Sequence, residues 1–247
     1  MTMPLRLFEF GDMKWCPEVI RRTITQMLLV ISKQTGLFRC TAGLVRKYLG
    51  KRRDILVLAA GSGGGILDVM GRLPRDVDVL LTDLEPDLAF VSDDKRVHYK
   101  KKPVDALDDL GRYPGLRVMY DSFHHLDREQ AAELLQSVVK SNEPFLTFEA
   151  SDRSPAGIWA CVMAPIYVFR FLPKLSPLKF SQIFFTYVLP LIPFVMLWDG
   201  LVSCLRVYSV KDLRDMTKDL TSYEWKIGRL KGQLGEPIRY LAGVPKT

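Results

Sequence analysis

The run Ile55-Leu56-Val57-Leu58, followed by Ala59-Ala60-Gly61-Ser62-Gly63-Gly64-Gly65, constrains this chain more than any other feature. Four consecutive apolar residues read as a strand buried on both faces, as in a parallel sheet. The glycines after it let the backbone bend and let a ligand lie against bare main chain. A helix is expected next, with Leu67, Met70 and Leu73 on one face and free N–H groups at its start. Val77 to Leu81 reads as the following strand, and Asp83 stands at its end, 20 residues beyond Gly63. A carboxylate so placed accepts hydrogen bonds from ribose hydroxyls in nucleoside-binding α/β folds. The pattern fits a nucleoside-type cofactor; the alternative is a tight structural turn beside a solvated acid. A Gly-x-Gly-x-x-Gly dinucleotide fingerprint counted from Gly61 fails, because Ile66 takes its third place.

The rhythm continues to residue 150. Val97 to Tyr99, Leu116 to Tyr120 and Phe145 to Phe148 read as strands, and Asp127 with Gln130 has capping-box spacing ahead of a helix carrying Leu134, Leu135, Val138 and Val139. Strands alternating with helices imply a parallel sheet with right-handed crossovers. Ahead of it, residues 1–50 look helical. A helix is expected from Pro17-Glu18 with Ile20, Ile24, Met27, Leu28 and Ile31 as one stripe, and a second from Thr41 to Leu49. After it, residues 151–210 are aromatic and nearly uncharged. Asp212 to Leu220 then reads as a helix, and Tyr223 to Gly228 with Ile238 to Val244 as a hairpin at the sheet edge. With 48% hydrophobic residues the chain is too apolar for disorder. Its four cysteines, Cys16, Cys40, Cys161 and Cys204, form no CxxC pair and fit a reducing compartment; no metal site is expected.

Read residue by residue, the chain resembles the class I S-adenosylmethionine-dependent methyltransferases. Their first motif aligns on Val57-Leu58-Ala59-Ala60-Gly61-Ser62-Gly63. Asp83 takes the place of their ribose-binding acid, Asp105-Ala106 that of the pair at the adenine, and Ser122-Phe-His-His-Leu126 that of their His-His-Leu after the fourth strand. The terminal hairpin is the family's usual finish. The resemblance covers about residues 51–150 and 211–247. It implies a Rossmann-like α/β fold of seven strands with the last antiparallel, plus a helical cap. It also implies S-adenosylmethionine as cofactor, held by Ala59, Gly61, Ser62, Gly63, Asp83, Leu84, Asp105, Ala106 and Ser122. Two positions depart from the pattern: Val57 stands where the motif has an acid and Ala59 where it has its first glycine, which weakens or relocates the hold on the methionine amino group.

The expected organisation is an N-terminal helical cap (1–50), a cofactor-binding core (51–150), a hydrophobic lid over the acceptor (151–210), and a helix and hairpin completing the sheet (211–247). His124 and His125 fall beside the expected methyl position, as a base or as packing. Asp199 lies in the apolar run Val195-Met-Leu-Trp-Asp-Gly-Leu201, so it must be paired or do chemistry; it reads as a substrate or proton-accepting group, or as a cap or partner of Arg206 or Arg170. The expected reaction is methyl transfer to a hydrophobic small molecule, at oxygen ahead of carbon or nitrogen. The alternatives are an enzyme on lipids or quinone-type molecules at a membrane surface, and a non-catalytic binding protein. Segment 159–205 must be covered by the N-terminal helices, by a second subunit as a homodimer, or by peripheral membrane contact. A multi-pass protein is not expected, since Phe180 to Trp198 contains Pro190 and Pro193. The formal charge of +7 comes from scattered residues, and a greasy acceptor region disfavours nucleic acid. With acid at Glu9 before any apolar run, no secretory signal is expected, and a cytoplasmic location is.

Overall fold

The computed structural model describes residues 7–246 except 89, 91, 109, 110, 112 and 234. The strands are β1 (Asp54–Val57), β2 (Asp78–Leu81), β3 (Val97–Tyr99), β4 (Leu116–Tyr120), β5 (Phe145–Glu149), β6 (Tyr223–Lys231) and β7 (Pro237–Pro245). They form one sheet in the order β3-β2-β1-β4-β5-β7-β6. The first five are parallel, while β7 runs antiparallel to both β5 and β6. The order reverses between β1 and β4, which is where an open α/β sheet leaves a crevice at its carboxyl ends.

The apolar run of β1 is continuous because both of its faces are covered. Ile55 and Val57 pack on one side with Val79, Leu81, Val118 and Phe148, beneath α2 (Ala42–Leu49) and the short α3 (Gly64–Leu67). Leu56 and Leu58 face the other way, onto Leu134, Leu135 and Val138 of α4 (Arg128–Ser141) and Leu213 of a later helix. Asp127 starts α4 with the expected capping box: its side chain accepts from Gln130 N at 2.8 Å, and Gln130 Oε1 accepts from Asp127 N at 2.9 Å.

A third apolar cluster joins α1 (Glu18–Thr35), α5 (Pro155–Phe171) and α7 (Leu191–Arg206), through Ile20, Ile24, Met27, Val168, Ile192 and Val195. Helix α5 approaches α7 closely at Gly200, where an added Cβ would stand 3.3 Å from Cys161 Sγ. Between them lie α6 (Phe180–Ile183) and a wide π turn, Phe184–Val188. Pro190 then breaks the chain, and α7 leaves at 74°. Helix α8 (Val210–Thr217) precedes the hairpin.

Two expectations need correction. The helix after the glycine turn is a single turn, α3, followed by a 3-10 turn at Met70–Arg72. Gly64 and Gly65 are poor helix formers. The Asp68 carboxylate is also drawn to Ser32 Oγ (2.5 Å) and Phe38 N (3.2 Å). In α1, Leu28 is 55% exposed instead of buried, because it borders a cavity.

Gly65 marks the tightest contact beneath the turn. A Cβ there would stand 2.2 Å from the Tyr120 ring. That ring cannot retreat, being held edge-on by Phe38 at 5.0 Å and stacked on Phe148 at 5.2 Å. Gly65→Ala is therefore expected to destabilise the protein by about 1–3 kcal/mol through overpacking. Equilibrium urea unfolding measures this, and an unchanged midpoint would mean the ring is free to move.

Candidate functional site

The turn after β1 is bent by three positive-φ residues: Ala59 (φ 48°), Gly61 (52°) and Gly63 (85°). For Ala59 the left-handed region costs roughly 1–2 kcal/mol, which the surrounding bonds must offset. Gly61 N donates to Asp83 Oδ2 at 2.8 Å, and Tyr99 Oη donates to Gly61 O at 2.7 Å. Ala60 N donates to Thr82 O at 2.9 Å, and Ser62 Oγ to Asp87 Oδ2 at 3.2 Å. Burial raises the Asp83 carboxyl above its ordinary value, against the pull of the Gly61 and Glu85 N–H groups. Helix α1 lies over the turn: Thr25 Cγ2 is 3.3 Å from where a Gly61 Cβ would be, and Arg21 pairs with Glu85 at 2.9 Å.

From this turn a cavity of about 1640 Å³ extends across the carboxyl ends of the strands to the lid. It exceeds the roughly 300–1,000 Å³ of a usual small-ligand cleft, so there is room for two ligands side by side. Every residue singled out from the sequence lines it: Ala59, Gly61, Ser62, Gly63, Asp83, Leu84, Asp105, Ala106, Ser122, His124, His125 and Asp199. Its far wall is apolar, built from Ala160, Met163, Ala164 and Tyr167 of α5 and Met196 of α7.

At the ends of β4 and β5 sits a buried group of charges. His124 is 2% exposed, and its Nδ1 is 2.5 Å from Glu149 Oε2. Glu149 Oε1 accepts from Phe123 N at 2.9 Å. Burial alone would discharge His124, but the charge and hydrogen bond of Glu149, with Glu9 and Asp121 beyond, outweigh it and lift its pKa to about 9. His124 Nε2 is buried and has no hydrogen-bond partner among the described residues. Asp121, at φ 45°, accepts from Ala150 N at 2.6 Å through Oδ1. Burial and the Glu149 charge raise its pKa to about 6.

His125 has a different setting. Its Nδ1 lies 3.2 Å from Asp12, which also binds Arg206 at 2.7 Å. Burial works against ionisation of Asp12, but the bonds and charges of His125 and Arg206 outweigh it and hold its carboxyl well below the usual range. Donor atoms of Glu9, His124 and His125, and separately of Asp121, His124 and Glu149, lie within 4.8 Å of one another. The charges of both groups are already engaged, with Arg206 on Glu9 and His124 on Glu149.

Asp199 lines the cavity and also ties two parts of the chain together. Its two oxygens accept from Phe10 N (2.7 Å) and Gly11 N (2.9 Å), so it fastens the N-terminal strap, residues 7–12, to α7. Arg206 donates to Leu7 O (2.7 Å), Trp198 Nε1 to Phe8 O (3.0 Å) and Ser203 Oγ to Glu9 (3.1 Å). These bonds fit the cap reading of Asp199, with the amides it holds 189 and 188 residues away, so no local pattern announces them. Burial, opposed by the two amides and aided by Glu9 and Asp12, raises Asp199 to about 6. Glu9, Asp12, Thr25 and Arg21 also line the cavity and carry no sequence motif.

No protein-family model and no curated protein sequence matches the chain. Solved structures do. Human N-acetylserotonin methyltransferase, in complex with SAM, superposes with a TM-score of 0.56 at 11% identity, covering 92% of this chain and 56% of that one. The pyocyanin biosynthetic protein PhzM gives 0.56 at 15%, covering 97% and 62%. The plantazolicin methyltransferase BpumL, in complex with SAH, gives 0.53 at 11%, covering 96% and 94%. The chain thus spans 56% and 62% of the length of the first two. The fold is that of the class I S-adenosylmethionine-dependent methyltransferases, with its seven strands and antiparallel last strand.

Two outcomes test this geometry. His124 has a folded pKa near 9 against 6.5 free. A raised value gives a contribution complete below pH 6.5 and lost as pH rises through about 9. Thermal unfolding should thus show a loss on the order of 2–3 kcal/mol across that window, absent in His124→Gln. Asp199→Ala should loosen the strap and speed tryptic cleavage at Lys14 up to about 30-fold, since the two lost bonds are together worth about 2 kcal/mol. Unchanged cleavage would show that the strap holds without Asp199.

Proposed function

We propose that the protein binds S-adenosylmethionine and transfers its methyl group to a hydrophobic small molecule, with oxygen the favoured acceptor atom. One observation carries the reading: a single cavity joins the open, bent backbone of the glycine turn and the half-buried Asp83 to an apolar lid. The residues present fit the cofactor. The turn's bare backbone leaves space where a side chain would intrude, and Asp83 keeps lone pairs free for ribose hydroxyls beyond the two amides it holds. Asp105 would meet the adenine amine and Ala106 its ring. Val57 is buried in β1 and offers no charge, so Asp121, across the crevice on the end of β4, is the carboxylate assigned to the methionine ammonium.

When bound, the sulfonium supplies an already activated methyl group. The protein's part is then alignment and exclusion of water. The apolar wall of α5 and α7 orients the acceptor, and the strap and α1 close the cavity. With a pKa near 9, His124 is charged at neutral pH. It therefore acts first as a donor that holds an acceptor oxygen, not as a base. An acceptor carboxylate or phenolate needs no further proton removal. Ala59 and Val57 favour a second reading, a protein that binds the cofactor without turnover.

Calorimetry with S-adenosylhomocysteine tests the site. Asp83→Ala should weaken binding about ten- to hundredfold, as expected for one charged hydrogen-bonding group worth about 1.5–3 kcal/mol. Equal affinities would place the cofactor elsewhere. His124→Gln should leave that affinity within about twofold while lowering turnover of a phenolic acceptor at least tenfold.

A further inference from the structure

Helix α5 with the turn after it, Pro155–Lys174, is long and apolar enough to cross a membrane, yet only 17% of its most apolar window is buried. A core helix of this composition would be covered. Instead Ile158, Trp159, Val162, Ile166 and Phe169 stand exposed at helical spacing along one side. The stripe continues onto the next segment. Tyr187 Oη donates to Phe169 O at 2.7 Å, and the two rings lie 5.8 Å apart. Around them Phe180 is 81% exposed and Val188 69%. An apolar area of this extent is a contact surface and not scattered exposure.

The charges around it have one sign. From Ser154 to Trp198 there is no Asp or Glu, and the charged residues are Arg170, Lys174 and Lys179. Arg170 and Lys174 both lie over the Phe171 ring, at 5.8 and 5.4 Å, at one end of the stripe. Two copies meeting through this face would bring like charges together. Anionic lipid head groups complement them, while the side chains between enter the acyl boundary. A surface seat fits this face better than a crossing: α5 turns its other side to the cavity, and α7, bent 74° from the segment before it, is tied back to the strap through Asp199, Ser203 and Arg206.

The opposite side of α5 is the cavity wall, formed by Ala160, Met163, Ala164 and Tyr167. Trp159 belongs to both, 63% exposed and lining the cavity. We propose that this face seats the protein on an anionic phospholipid bilayer and that the methyl acceptor is a lipid-soluble molecule entering past Trp159. The docking stands on the surface alone; the acceptor class rests on the methyl-transfer reading.

Flotation of the full chain with vesicles tests the docking. With 3:1 phosphatidylcholine and phosphatidylglycerol the protein should float. With phosphatidylcholine alone recovery should fall at least fivefold. Phe180→Ser/Val188→Ser and Arg170→Glu/Lys174→Glu should each lose binding tenfold or more while keeping S-adenosylhomocysteine affinity, which shows that they remain folded. Protein left in the aqueous layer with anionic vesicles overturns the proposal. So does equal flotation on both vesicles, or a dimer in light scattering that these substitutions dissociate. A protein that floats but binds no S-adenosylhomocysteine leaves docking intact and removes the methyl-transfer reading, and with it the acceptor class.

Discussion

The hydrogen bond from Gly61 N to Asp83 is the contact on which the site depends. A chain leaving a buried parallel strand must bend at once and still satisfy its main-chain groups. Asp83 takes the amide of the bend and Tyr99 donates to the carbonyl of the same residue. These two bonds fix Gly61 from the neighbouring strands, β2 and β3, so the bend is held by the sheet and not by its own short helix. They also explain how Ala59 is kept in a backbone region that alanine avoids. The bend is thereby tied toward β2 and β3, on the far side of β1 from the crevice that the strand order leaves between β1 and β4.

The electrostatics of the cavity run against those of the whole molecule. The chain carries +7, yet Glu9, Asp12, Asp83, Asp121, Glu149 and Asp199 all line or border one cavity. Burial raises several of these carboxyls, and His124 and Arg206 supply the compensating charge. The imidazole of His124 is held through Nδ1 by Glu149, and the nearby Glu9 and Asp121 charges add to the pull that keeps it protonated. Net charge therefore says little about the chemistry, which is decided by a handful of groups brought together from both ends of the chain.

What could be read from the sequence was what depends on near neighbours. Ile55 to Leu58 announced a strand buried on both faces, Asp127 and Gln130 a helix start, and Asp83 the tip of the second strand. The residues assigned to the cofactor line the cavity because they follow strand ends, whose places in a parallel sheet are set by topology. Long-range contacts were not legible. The helix after the glycines stops early because Asp68 is held by Ser32 and Phe38, from a part of the chain 30 or more residues away. The pairing of His124 with Glu149 requires β4 and β5 side by side. Asp199 stayed open between a reacting group and a cap because its partners are backbone amides at the other end of the chain.

That separation shapes how the protein acquires its site. The part of the cavity wall built by Glu9, Gly11 and Asp12 is held in place through the Phe10 and Gly11 amides on Asp199, 189 and 188 residues away along the chain. Contacts so distant along the chain are slow to form. A ligand that fills the cavity recognises the finished enclosure alone, and mass action then transfers its binding energy to the whole fold. Occupancy and the seating of residues 7–12 would then be coupled, since a ligand resting against Glu9, Gly11 and Asp12 favours the state in which those residues are held to α7.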